Sequence, residues 1–208
     1  MKIRPEELDD NDYILLEKLD HKELILFVRT YLKKRTKYAM FYYFANLILF
    51  GLLVFLFLKN YHLPDYSIAN QLNHLSYGIA LSFVLLPFHE YIHVLAYKTQ
   101  GAENTSYDAN FKKFYFMALA DRFVANKKEF EVVALSPFII ISTILIILYF
   151  NVDSDWDLTI SGILLAHTAM CSGDFGLLSY FEYNKEKKVV TYDDIKNKIS
   201  YFYGQINK

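Results

Sequence analysis

His89, Glu90 and His93 stand in the run His89-Glu90-Tyr91-Ile92-His93, an HExxH spacing. On a helix, residues four apart lie one turn apart on the same face. Two imidazoles so placed can bind one zinc ion, and Glu90 beside them can act as general base toward a water that the metal polarises. The stretch around them, Ser76 to Tyr97, is otherwise almost all Leu, Val, Ile, Phe, Ala and Tyr. Ionisable residues in so apolar a setting are costly and are read first as functional. The chemistry indicated is metal-dependent hydrolysis within or at the edge of a membrane.

The elements that must position these residues follow from composition. The chain has 208 residues, 54% hydrophobic and 18% aromatic, yet 22% are charged. Both facts hold because apolar and charged residues are segregated. Four stretches approach or exceed the roughly 20 residues that span a bilayer: Ala39–Leu58, Ser76–Tyr97, Val132–Phe150 and Leu158–Phe181. The expectation is an all-α integral membrane protein: four transmembrane helices, a long inner connection that forms a hairpin or a short membrane-dipping segment, and amphipathic terminal helices. Three regions follow, an N-terminal segment 1–38, a membrane core 39–181 and a C-terminal segment 182–208. His21–Lys34 reads as one amphipathic helix and Thr191–Ile206 as another, with Asp193 and Asp194 in its first turn. Lys33, Lys34, Arg35 and Lys37 before the first stretch place that end inside. So do Lys112, Lys113, Arg122, Lys127 and Lys128 in the long connection, and Lys185, Lys187 and Lys188 after the last stretch. The expected arrangement has both termini cytosolic, in a bacterial cytoplasmic membrane. A net charge of −1 gives no sign of a nucleic-acid partner, and one cysteine, Cys171, excludes an intrachain disulfide.

A catalytic zinc usually takes three protein ligands and one water. The third must reach the depth of His89, which lies 13 residues past Ser76, and Asp174 lies 16 past Leu158 on a span running the same way. At ~1.5 Å per residue these depths differ by only a few Å. Asp174 is therefore the expected third ligand. Ser172, Gly173 and Gly176 around it would let its helix approach closely. His167 shares a helix face with Cys171 and Asp174 but sits about 10 Å nearer the outside. It fits a polar neighbour or the wall of a water path. Cys171 is chemically able to bind zinc but is more often a small packing residue.

With these residues in hand, a family resemblance can be stated. The His89–His93 motif, the long inner connection, a span entered near Ser136-Pro137, and Ser172-Gly173-Asp174 in the last span resemble the zincin peptidases of bacterial membranes, a family similar in turn to the site-2 proteases. The resemblance covers about Leu75 to Phe181. It implies His89, His93 and Asp174 as ligands of one zinc ion per chain, and Glu90 as catalytic base. The chain departs from the site-2 pattern near the third ligand: Asp174 is followed by Phe175 rather than Gly, with no proline upstream in that span. The partners implied are the lipid bilayer and a peptide or membrane-protein substrate. Two other classes fit some of the residues, a non-catalytic metal-binding scaffold and a small transporter. Glu90, which zinc binding does not need, favours the enzyme. Four spans without an inverted repeat are few for a transporter.

Overall fold

The computed structural model describes residues 3–61, 67–110 and 115–205. Strand β1 (Tyr13–Asp20) leads through a helical turn into α1 (Leu24–Leu32), and α2 (Lys37–Tyr61), α3 (Ile68–Val84) and α4 (Leu86–Thr99) follow. Next come β2 (Thr105–Asn110), β3 (Tyr115–Ala120), β4 (Ala125–Asn126), α5 (Lys127–Tyr149), α6 (Asp157–Met170) and α7 (Ser172–Tyr183). Strands β5 (Val190–Asp194) and β6 (Ile199–Gln205) end the described chain.

The chain is mostly helical, but it is not all-α. Strands β1, β6, β5 and β4 pair in that order into an antiparallel sheet, and β2 and β3 form a separate hairpin. The segment expected as a C-terminal helix is instead a β-hairpin, with Ile206 outside the described residues. Along β6 the buried positions alternate, as in any half-covered strand, but they are Ser200, Phe202 and Gly204. Only one of the three is a large apolar residue, so the period of two is invisible as hydrophobicity. The hairpin half of the expectation for the inner connection holds for β2–β3. Phe111, Lys112, Lys113 and Phe114, counted in that connection, lie outside the described residues. The two ends of the chain, expected as separate flanks, meet in one sheet where β1 pairs with β6.

Three helical stretches are long and apolar enough to cross a membrane: Lys37–Tyr61, Ile68–Thr99 and Lys127–Tyr149. Their outer faces leave large apolar side chains uncovered, among them Phe44, Leu47, Phe55, Leu72, Ile140 and Ile144. The stretch expected as one span from Leu158 to Phe181 is broken at Cys171 into α6 and α7. Gly173, just past the break, is a weaker helix former than its neighbours, and the chain turns at Cys171. Helix α6 is enclosed by its neighbours, with nine of its 14 residues buried. Its tightest contact is with α3: a Cβ on Gly78 would stand 2.5 Å from the backbone oxygen of Thr159 and 3.1 Å from Gly162 Cα. The small residues that draw helices together are therefore Gly78 and Gly162. Gly176 instead receives α1, its missing Cβ leaving room for Val28 at 2.7 Å, and Gly173 meets nothing within 4 Å.

Candidate metal centre

Helix α4 begins again after Leu85 because Pro87, at its first turn, has no N–H and cannot continue α3. From that start His89, Glu90 and His93 are carried into the protein, where all three are buried. The break at Cys171 brings Asp174 in from the other side. It places Asp174 in the first turn of α7, where the helix dipole favours a carboxylate.

Three side chains converge. His89 Nε2 lies 3.3 Å from Asp174 Oδ2, His93 Nε2 lies 3.1 Å from Asp174 Oδ1, and the two Nε2 atoms are 3.1 Å apart. Ligand atoms on a tetrahedral zinc, each at ~2.0–2.2 Å from the metal, are separated by about 3.3–3.5 Å. The two imidazole nitrogens, each facing a different oxygen of the Asp174 carboxylate, stand at spacings near those of ligands on one such ion. The chemistry of the donors agrees. His93 Nδ1 is 2.9 Å from the carbonyl oxygen of Val133, so Nδ1 carries the proton and Nε2 presents a lone pair. That lone pair faces a carboxylate oxygen and a second imidazole nitrogen, an arrangement of acceptors that one cation satisfies together.

The Val133 carbonyl is available for a reason written in the sequence. Pro137, inside α5, has no N–H to give the carbonyl four residues before it, which is that of Val133. His93 supplies the missing donor.

His89 Nδ1 lies 3.3 Å from His167 Nε2, so His167 is the polar neighbour that orients the other side of His89. Cys171 Sγ is 3.9 Å from the same His167 nitrogen and gives its weak hydrogen bond to the His167 carbonyl oxygen at 3.3 Å. His89, His167 and Cys171 form a second cluster of metal-capable groups, but Cys171 is also fully buried in the main apolar core.

Glu90 lies beside His93 and Asp174 on the wall of the same cavity. The backbone of Ala118 in β3 hydrogen-bonds to its carboxylate, while Oε2 is buried with no partner among the described residues. Glu90, His93 and Asp174 open onto a cavity of about 90 Å³. The strands close over it: Met117 and Ala118 from β3, Thr191 and Asp193 from β5, Ser200 and Phe202 from β6. These strand residues are the part of the site that sequence reasoning missed. Asp193 lies in β5 rather than in the first turn of the expected C-terminal helix.

A family model matches residues 82–188, just over half of the chain, and its family is described as "Putative zincin peptidase". The chain belongs to this family. The match spans α4, the β2–β3 hairpin, α5, α6 and α7, so every residue of the triangle lies inside it. The family description fits the donor set, since zincins are zinc-dependent and the triangle offers two imidazoles and a carboxylate. No curated protein and no solved structure matches the chain.

Proposed function

We propose that this zincin-family protein is a membrane-embedded zinc peptidase, with His89, His93 and Asp174 holding one zinc ion and Glu90 as general base. The reading is carried by two imidazole nitrogens 3.1 Å apart, each within 3.1–3.3 Å of an Asp174 carboxylate oxygen, with an uncommitted glutamate oxygen beside them. Bound there, zinc supplies Lewis acidity that acidifies water and polarises a peptide carbonyl. Glu90 takes the proton of the attacking water on its free Oε2 and passes it to the leaving amine. Ala118 N–H keeps the carboxylate turned toward the cavity, and the Val133 carbonyl and His167 fix the rotations of the two imidazoles. The layer of strands covers the cavity and limits the water that reaches it.

The three apolar helical stretches support a membrane location; on this reading the α6–α7 unit is a fourth crossing, the membrane is a bacterial cytoplasmic membrane, and both ends are cytosolic. On this reading the sheet lies on the inner face, at the depth where the site opens. The substrate is a peptide bond in a membrane protein or membrane-bound peptide. The test is cleavage of detergent-solubilised membrane-protein candidates by wild type and by Glu90→Gln. The variant should retain zinc and lose ~10²–10⁴-fold in rate. Cleavage at the wild-type rate by the variant refutes the role of Glu90.

A further inference from the structure

The cavity beside the triangle carries a second carboxylate that the proposed chemistry does not use. Ala118 of β3 hydrogen-bonds to Glu90, and Ala120, two residues along the same strand, hydrogen-bonds to Asp193. Residues i and i+2 of a strand point the same way and are ~7 Å apart. Asp193 therefore borders the cavity about one dipeptide from the general base.

Its surroundings hold it in place without neutralising it. Ser200 Oγ donates to Asp193 Oδ1 at 2.6 Å, and His21 Nε2 lies 3.1 Å from the same hydroxyl, which it reaches as donor. Asp121 adds a second negative charge nearby. Arg122, whose N–H bonds to the Asp193 carbonyl oxygen, turns its guanidinium away to Glu6. Among the described residues no lysine or arginine is in ion-pair distance of the Asp193 carboxylate. Burial without a counter-charge pushes its carboxyl up to about 6. A carboxylate has about four acceptor sites, and Ser200 and Ala120 occupy two. The cavity is lined mostly by apolar side chains, among them Leu19, Leu24, Phe130, Leu177 and Phe202, with Asp193 and Ser200 also on its wall. A largely apolar cavity that carries a carboxylate with no basic partner is complementary to an aliphatic stem that ends in a cation.

We propose that this cavity is a specificity subsite for a lysine or arginine side chain of the substrate, within about two residues of the scissile bond, with Asp193 as its counter-charge. The inference rests on the peptidase reading of the metal centre. A carboxylate serving only to tie β5 to β3 and to Ser200 would leave substrate choice untouched.

The experiment separates the two ideas by using binding for one and cleavage for the other. A fluorescein-labelled series of apolar peptides, identical except for one residue that is Lys, Arg, norleucine or Glu, is titrated into zinc-loaded, detergent-purified Glu90→Gln. The varied residue is stepped through each position near the cleavage point. At one position Lys and Arg should bind roughly 30-fold tighter than norleucine, and Glu weaker still. Adding Asp193→Asn should erase that ratio and Asp193→Glu should keep most of it. Equal binding of Lys and norleucine at every position, or a preference that survives Asp193→Asn, overturns the subsite. The same peptides given to the wild-type enzyme report on the parent reading. Cleavage without a basic preference leaves the peptidase and removes the subsite, whereas selective binding with no cleavage does the reverse.

Discussion

Pro137→Ala tests whether the proline sets the metal centre. Pro137 leaves the Val133 carbonyl without a helical donor, and His93 Nδ1 fills the place at 2.9 Å. Alanine at 137 restores an N–H aimed at that carbonyl, so the helix and His93 then compete for it. The helix gains up to ~3 kcal/mol in propensity. Loss of the two buried ring methylenes costs about 2 kcal/mol, at about 1 kcal/mol per methylene and its residual cavity. The variant should therefore melt no lower than wild type. Zinc affinity should move the other way. Removing the partner of a ligating histidine typically weakens binding ~10–100-fold, or about 1.4–2.8 kcal/mol. Affinity is read by competition with a chromophoric zinc chelator in detergent, with thermal melting of the metal-free protein as the control. A variant that melts normally and binds zinc as tightly as wild type refutes the idea that the freed carbonyl sets His93.

Other expectations follow from the same geometry. Gly78→Ala puts a Cβ 2.5 Å from the Thr159 backbone oxygen, which cannot swing aside. It should cost ~1–3 kcal/mol and lower the melting temperature, whereas Gly51→Ala, with nothing within 4 Å of its Cβ, should not. Asp193 carries a pH signature. Its carboxyl is raised from 3.8 to about 6, so the folded chain holds that proton more tightly than the unfolded chain. The contribution to stability is complete below pH ~4 and is lost as pH rises through ~6. Asp193→Asn should flatten that part of a pH–melting profile, in surroundings that contain Asp121, Ser200 and His21. A profile unchanged by the substitution would mean that Asp193 is not the group that titrates there.

The convergence of His89, His93 and Asp174 is more legible in the sequence than the fold around it. HExxH is a local pattern, and helical spacing alone puts His89 and His93 on one face. Asp174 was chosen by matching depths on two straight spans. The three side chains do meet, but by a different path, since α6 ends at Cys171 and Asp174 enters in the first turn of α7. The three apolar helical stretches were visible because lipid-facing helices are apolar on every side. The sheet was not, because its strands come from widely separated parts of the chain and bury Ser200, Thr191 and Gly204 beside Phe202. A strand pattern made of small and polar residues looks like a solvated flank. Asp193 was hidden with it, and no local signal marks a carboxylate whose neighbours come from β3 and β6. The Val133 carbonyl is the opposite case: a proline inside a helix always frees the carbonyl four residues earlier, and only its recipient needed the structure.

The central claim is that His89, His93 and Asp174 together hold one metal ion. Elemental analysis of detergent-purified wild type beside Asp174→Ala tests it directly. About one zinc per chain is expected in the wild type and a large loss in the variant. Wild-type protein that carries no metal, even after zinc is added, would contradict it.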